Sequence, residues 1–231
     1  MGERTTITTP DGSFSAYVAR PKAASAPAVV VIQEIFGVNQ VMRDITDGLA
    51  GQGYLAICPD LFWRIEPGID ITDKSEAEWK RAFELFNAFD VDQGVKDIAA
   101  TNAAIRRDPG CNGKVGAVGF CLGGLLAFLT ATRTDADASA AYYGVGIENR
   151  VGEAEKLVKP LLMHIAEEDQ FVPKPAQAVI LQALKNHPNI EIHTYPGRNH
   201  AFARPGGEHY DEADAKLAGG RTLQFFKKHL G

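Results

Sequence analysis

The chain has 231 residues, of which 45% are hydrophobic and 23% charged, and its formal net charge is −5. This length allows one α/β domain with a well-buried core. Lys and Arg are scattered along the chain, which argues against a nucleic-acid partner, because such partners usually require a concentrated basic face. The longest apolar run, at residues 27–32, is too short to cross a bilayer.

The first residues and the cysteines indicate a compartment. Residues 1–5, Met-Gly-Glu-Arg-Thr, lack the apolar segment of a secretory signal, so we expect a cytoplasmic protein. Cys58, Cys111 and Cys121 are few and irregularly spaced, which argues against both a disulfide framework and a zinc site. We therefore expect three reduced thiols.

The chain opens with two short β-branched or aromatic stretches, residues 5–9 and 14–18. They flank the turn signal Pro10-Asp11-Gly12-Ser13 and predict a hairpin. The continuous apolar run at 28–32 is typical of a strand buried on both faces of a parallel sheet. The elements predicted next are helix 41–50, strand 54–58, an irregular aromatic loop 59–73, helix 75–86 and helix 91–107. The aromatic loop either covers a pocket or packs on the core.

The remaining elements continue this alternation. They are strand 114–118, helix 122–132, strands 139–143 and 161–165, helix 174–185, strand 191–195 and helix 212–230. Alternating strands and helices predict a mainly parallel sheet with helices on both faces, to which the hairpin adds an antiparallel edge. Because no repeat or linker interrupts the pattern, we expect a single domain over residues 1–231. In such sheets the active site lies beyond the carboxyl ends of the strands.

The segment Gly119-Phe120-Cys121-Leu122-Gly123 has the form of a nucleophile elbow, with Cys where Ser is usual. A predicted strand precedes it and a predicted apolar helix follows, as the motif requires. The turn is so sharp that small residues must flank the nucleophile, and a helix N-terminus favours a thiolate. The Leu122 N–H is a candidate oxyanion donor. The alternative interpretation, a buried structural thiol, is the one we adopt for Cys58 and Cys111.

A cysteine nucleophile needs a base, and the elbow fold places its partners in the order nucleophile, acid, histidine. Asp169 follows one predicted strand and His200 lies in the loop after the next, so both fall at the carboxyl edge of the sheet. Glu167 and Glu168 compete with Asp169 on spacing alone, although the shorter Asp fits the loop better. Of six histidines, only His200 combines this order with a strand-end loop, and we expect His164 to be a core residue.

Five segments spread over most of the chain carry a family resemblance. They are Gln33-Glu34-Ile35-Phe36-Gly37-Val38-Asn39, Pro59-Asp60-Leu61, Gly119-Phe120-Cys121-Leu122-Gly123-Gly124, Glu168-Asp169 and His200-Ala201-Phe202. Together they resemble the dienelactone hydrolase (carboxymethylenebutenolidase) family. Few other hydrolases combine the Gln-Glu-Ile-Phe-Gly segment with a Cys elbow. The resemblance implies an α/β-hydrolase fold.

The resemblance also implies roles for particular residues. It implies a triad of Cys121, His200 and Asp169, and it implies that Glu34 lies near the thiol and helps to activate it. The resting thiol would then be neutral and become a thiolate when substrate binding shifts the glutamate. Glu34 directly follows a buried strand, where a charge is costly, although alone it would be read as a capping or salt-bridged carboxylate. The Ile35 N–H would be the second oxyanion donor.

The substrates that the resemblance implies are small lactones bearing a carboxylate. Arg81 and Arg204 match the basic residues that would bind it, since a guanidinium can hold a carboxylate by two parallel hydrogen bonds. Arg204 lies four residues after His200, which favours proximity to the site. For Arg81 the sequence alone favours a solvated charge, because its neighbourhood is an ordinary amphipathic helix.

The leading functional hypothesis is therefore a hydrolase that opens a small anionic enol-lactone through a thioester on Cys121. A broad carboxylesterase would use the same triad on other substrates. A third hypothesis, a ligand-binding or thiol-sensing protein without catalysis, needs neither an ordered Asp and His nor an elbow. We expect a small-molecule lactone or ester as partner, no cofactor or metal, no membrane, and a monomer or small homo-oligomer.

Overall fold

A computed structural model of the protein describes residues 2–231. The contacts among these residues define two compact units, one ending at Ala117 and the other beginning at Val118. The division falls within a single β-strand. The single domain over residues 1–231 stays a prediction, because the contacts describe each unit by itself. Among the described residues, no helix is both long enough and apolar enough to cross a membrane.

The first unit contains the predicted hairpin and the first parallel strands. Its elements are β1 (Glu3–Thr9), β2 (Gly12–Ala19), β3 (Ala26–Ile32), α1 (Gln40–Gly51), β4 (Leu55–Pro59), α2 (Glu76–Ala88) and α3 (Val91–Arg106). Strand β2 pairs antiparallel with β1 and with β4, whereas β3 and β4 are parallel. The side chains of residues 28–32 in β3 are completely buried, as the continuous apolar run predicts.

The aromatic loop at residues 59–73 packs on the core of the first unit. Phe62 is completely buried and meets Phe89 edge-on, with ring centroids 5.7 Å apart, and Trp63 stacks on Phe14 at 5.4 Å. The Trp63 Nε1–H donates to the buried carboxylate of Asp97 at 2.8 Å. Of the two interpretations left open by the sequence, these contacts support packing on the core.

The second unit begins inside β5 (Cys111–Phe120). It continues with α4 (Leu122–Arg133), β6 (Ala138–Tyr142), two short 3₁₀ helices (Ile147–Asn149 and Val151–Lys156), β7 (Leu161–Ala166), α5 (Lys174–Leu184), β8 (Ile190–Tyr195) and α6 (Glu212–Leu230). Strands β6, β7 and β8 are parallel neighbours in that order. Residues 122–132 of α4 are all buried, which explains why this helix is apolar on every side.

The predicted elements are all present, with ends that move by a few residues. Strand β5 begins three residues earlier than predicted, at Cys111, and β6 ends at Tyr142 instead of Tyr143. Tyr143 has a positive φ of 38°, a conformation that cannot continue a strand. The mainly parallel α/β architecture with an N-terminal antiparallel hairpin is confirmed.

Candidate active site

Cys121 occupies the sharp turn between β5 and α4. Its φ of 57° and ψ of −117° are strained for a residue with a side chain. A Cβ on Gly119 would lie 1.8 Å from the Gly123 carbonyl oxygen, and a Cβ on Gly124 would lie 2.4 Å from the Tyr142 oxygen. These distances explain why the motif requires glycine, because any side chain would overlap the neighbouring backbone.

The strained turn is held by backbone hydrogen bonds. The Cys121 N–H donates to the Tyr142 carbonyl at 3.1 Å, which ties the elbow to the carboxyl end of β6. The Cys121 carbonyl accepts hydrogen bonds from Gly124 N and Leu125 N, at 2.9 and 3.3 Å, and these bonds begin α4. The Cys121 side chain is thus fixed at the helix N-terminus, where a negative charge is favoured.

Asp169 and His200 come together at the ends of β7 and β8. The His200 Nδ1 lies 2.8 Å from Asp169 Oδ2 and 3.1 Å from Oδ1, and both side chains are buried. Asp169 Oδ1 also accepts hydrogen bonds from Phe171 N at 2.8 Å and Val172 N at 3.1 Å. These three donors fix the carboxylate, which in turn fixes the orientation of the imidazole.

The structure distinguishes the three acids that the sequence left open. Glu168 is exposed and forms an ion pair with Lys174 at 3.0 Å. Glu167 is half-buried, and both hydrogen bonds described for it involve its backbone: its N–H donates to the Tyr195 carbonyl and its carbonyl accepts from Gln177 Nε2. Of these three acids, only Asp169 is described as hydrogen-bonding the His200 imidazole, which is the acid that the shorter side chain favours.

The surroundings of His200 act on its pKa in opposite directions. Burial by itself lowers the pKa of His200, but the charge of Cys121 and the hydrogen bond with Asp169 raise it from 6.5 to about 10. Asp169 occupies Nδ1, and the other ring nitrogen, Nε2, is buried without a hydrogen-bond partner among the described residues, which leaves it free to act on Cys121. Asp169 and His200 are therefore in direct contact, whereas the triad that adds Cys121 stays a prediction.

We expect this environment to be visible in the titration of the histidines by NMR. The raised pKa means that His200 stays protonated through neutral pH and loses its proton only towards pH 10. Burial lowers the pKa of His164 well below its ordinary value, so that residue should stay neutral over the same range and serve as an internal reference. In Cys121→Ala the charge that raises the pKa of His200 is absent, and its titration should move to lower pH. An unchanged titration in that variant would contradict the assigned contact.

His164 is a core residue, as predicted. Its Nδ1 lies 2.7 Å from the Tyr195 hydroxyl and its Nε2 lies 3.0 Å from Thr222 Oγ1. All three cysteines are free. Cys58 is completely buried, and burial together with Asp60 raises the pKa of its thiol. Cys111 is partly exposed, and its Sγ contacts the backbone of its own turn.

Aromatic residues around His200 were not identified from the sequence. Tyr143 and Phe171 meet the imidazole edge-on, with ring centroids 5.0 and 4.9 Å away. Phe202 is completely buried and packs against Tyr143 at 5.8 Å and Tyr195 at 4.6 Å. The sequence could have indicated these residues only by their positions, because Tyr143 directly follows β6 and Phe171 lies in the loop after β7.

The other predicted site residues belong to different parts of the chain. Glu34 and Ile35 follow β3 in the first unit, and both are buried. Arg81 lies on α2, partly exposed, and pairs with Glu66 at 2.5 Å and Glu84 at 3.0 Å. Arg204 lies in the second unit, in the turn that follows His200. The roles of these four residues stay predictions, as do the oxyanion role of Leu122 and the catalytic roles of the proposed triad.

No metal-binding arrangement was found in residues 2–231, since these contain no suitable group of three or more His, Cys, Asp or Glu side chains. An elbow at a strand end, followed by an acid and a histidine at successive strand ends, defines the α/β-hydrolase class.

Comparisons with known proteins identify the family within this class. The model of the dienelactone hydrolase family matches residues 14–230. A carboxymethylenebutenolidase of Pseudomonas putida is 41% identical over 226 residues, which cover 97% of this chain and 96% of the relative. A protein of Azospirillum brasilense is 56% identical over 225 residues, 96% of each chain. A crystal structure from Klebsiella pneumoniae superposes with a TM-score of 0.87 at 29% identity, covering 99% of this chain and 98% of the other.

The chain belongs to the dienelactone hydrolase family. It is therefore an enzyme, a hydrolase of carboxylic esters, and the hypothesis of a protein without catalysis is set aside. The resemblance seen in the sequence and the α/β-hydrolase fold are both confirmed.

Proposed function

We propose that this enzyme opens a small enol-lactone that bears a carboxylate, through a thioester on Cys121. The observation that carries the proposal is the hydrogen bond between Asp169 and His200. In the proposed reaction, the His200 imidazole that this bond orients acts on Cys121 at the elbow. The family supports the lactone as the substrate class, and the relative in Pseudomonas putida is a carboxymethylenebutenolidase.

The first half of the proposed reaction forms the thioester. The Cys121 sulfur attacks the lactone carbonyl carbon, and the carbonyl oxygen becomes an oxyanion. The N–H of Leu122, at the start of α4, and that of Ile35 stabilise this charge. The intermediate collapses as the ring C–O bond breaks. The ring oxygen leaves as an enolate, takes the proton of the His200 imidazolium and stays attached to the acyl group.

The second half releases the product. Acylation removes the thiolate charge, which is a main cause of the raised pKa of His200, so the imidazole can lose its proton and act as a base. It accepts a proton from water, whose oxygen attacks the thioester carbonyl. The C–S bond then breaks, and the sulfur regains its negative charge beside the imidazolium. The product leaves as a carboxylic acid that releases its proton to the solvent. Asp169 keeps the imidazole oriented in both halves.

Glu34 has a proposed role in activating the thiol. Its side chain is 1% exposed, at the carboxyl end of β3. Family resemblance supports this role.

The proposed carboxylate-binding residues, Arg81 and Arg204, can be tested by their substrate dependence. Replacing either by Ala should lower kcat/KM for a carboxylate-bearing lactone by about 10- to 100-fold, because a charge-assisted hydrogen bond contributes about 1.5–3 kcal/mol. Turnover of a neutral nitrophenyl ester should change little. Arg20→Ala is a matched control, since Arg20 is also partly exposed and paired with carboxylates, Asp108 and Glu3.

A broad carboxylesterase is the second candidate. The observation that favours it is the pairing of Arg81 with Glu66 and Glu84, because these carboxylates already occupy the guanidinium. If both arginine variants retain their activity on anionic and neutral substrates alike, the triad stands and the anionic lactone assignment is lost. The proposed reaction requires no cofactor. We propose that the enzyme is a monomer or small homo-oligomer in the cytoplasm, because a reducing compartment suits three free thiols.

A further inference from the structure

We propose that Asn199 is a positioning residue that holds the loops of His200 and Asp169 at the distance catalysis needs. The inference rests on the proposed function of that pair. It concerns the loop that follows β8, residues 196–201, and the loop that follows β7, residues 167–172. Each loop carries one member of the proposed triad.

The two loops are joined first by backbone hydrogen bonds. Glu167 N donates to the Tyr195 carbonyl at 3.1 Å and Glu168 N donates to the Arg198 carbonyl at 2.8 Å. Neither of these backbone hydrogen bonds involves Asp169 or His200, the two proposed catalytic residues. The link at that level is a side chain, because Gln170 N donates to Asn199 Oδ1 at 3.1 Å.

The same amide oxygen also accepts the backbone N–H of His200, at 2.7 Å. One oxygen atom therefore bonds to the histidine itself and to the residue directly after the acid. This arrangement fixes the orientation of the amide, since the NH₂ group could not accept either hydrogen bond. The Asn199 NH₂ is then directed to His209 Nε2, 3.3 Å away, which a neutral imidazole can offer as an acceptor.

The backbone around His200 needs such support. Gly197 has a φ of 71°, and Ala201, directly after His200, has a φ of 62°, which is uncommon for a residue with a Cβ. A strained conformation persists only where surrounding contacts hold it. On the opposite side, Arg198 pairs with Asp211 and Asp214 at the start of α6, which anchors the loop but does not connect it to Asp169.

Asn199 bonds to backbone groups and to His209, so it acts through His200 and is not a catalytic residue. We expect Asn199→Ala to lower kcat by about 10- to 100-fold, because a misplacement of about 1 Å can cost that much, with KM nearly unchanged. Asn199→Asp keeps an oxygen for both N–H donors and should restore kcat to within a few-fold. A loss of the contact with Asp169 should also lower the pKa of His200 in Asn199→Ala, and this titration can be followed by NMR without substrate.

Two control variants separate positioning from general stability. Asn189→Ala removes another asparagine that links two segments of the second unit, through its bond to the Leu157 carbonyl at 3.3 Å, and it should leave kcat and the His200 titration unchanged. His209→Ala removes only the acceptor of the Asn199 NH₂ and should have a small effect.

The outcomes are distinct. A normal kcat and a normal His200 titration in Asn199→Ala would overturn the inference. An equal loss in Asn199→Ala and Asn199→Asp, with an unchanged titration, would also overturn it, because the shared oxygen would then not matter. If Cys121→Ala kept its activity, the proposed function would fail, whereas the titration would still report whether Asn199 positions His200.

Discussion

Cys121→Ala should lower kcat/KM for a nitrophenyl ester by at least about 10⁴-fold, in the range found when the nucleophile of a triad is removed. The reason is that the sulfur forms the bond on which the proposed reaction depends, and no other thiol can replace it. Cys58 is completely buried and the pKa of its thiol is raised. Cys111 is the first residue of β5, and its Sγ contacts the Lys114 carbonyl. The measurement is steady-state turnover at neutral pH.

Cys111→Ala is the matched control for this variant. It removes a partly exposed thiol and should retain normal turnover. The denaturant concentration at the midpoint of unfolding should be the same for both variants as for the wild-type protein, because the loss of one sulfur atom leaves only a small cavity. A folded Cys121→Ala protein that still hydrolyses the ester at more than a hundredth of the wild-type rate would contradict a thiol nucleophile.

Gly119→Ala should have the largest effect on stability. The new Cβ would lie 1.8 Å from the Gly123 carbonyl oxygen and 2.4 Å from its carbonyl carbon, and both are backbone atoms that cannot rotate away. The elbow must therefore open, which we expect to lower the free energy of unfolding by at least about 3 kcal/mol. Denaturant unfolding measures the loss.

Gly219→Ala is the corresponding control. Gly219 lies inside α6, and a Cβ there meets no atom within 4 Å. Alanine should therefore stabilise the protein by about 0.5–1 kcal/mol, because glycine is the poorer helix former. If Gly119→Ala were as stable as Gly219→Ala, the close approach at the elbow would be wrong.

Most of the fold could be predicted from local sequence patterns, because the residues of each helix or strand themselves indicate its type. The apolar run of β3, the glycines of the elbow and the long periodic segment of α6, whose bounds match the prediction, depend on neighbours in the sequence. The end of β6 could not be predicted, because the positive φ of Tyr143 arises from its place beside the elbow, where its N–H donates to the His164 carbonyl.

The site was predictable only where chemistry and chain order combine. Cys121 and His200 each have a unique place in the motif. Asp169 was favoured over Glu167 and Glu168 only by its shorter side chain, and the three-dimensional contacts separate it from them. Asn199 looks like any loop asparagine, since this residue is common in turns for local reasons. Its bond to Gln170 spans 29 residues of sequence, and no local pattern reports it.

The most direct test of the central claim compares dienelactone with a simple nitrophenyl ester as substrates of the wild-type enzyme, with Cys121→Ala as the blank. We expect a clearly higher kcat/KM for dienelactone, and loss of both activities in the variant. Turnover of dienelactone no faster than that of the nitrophenyl ester would contradict the lactone assignment, and dienelactone hydrolysis that survives in Cys121→Ala would contradict the thioester.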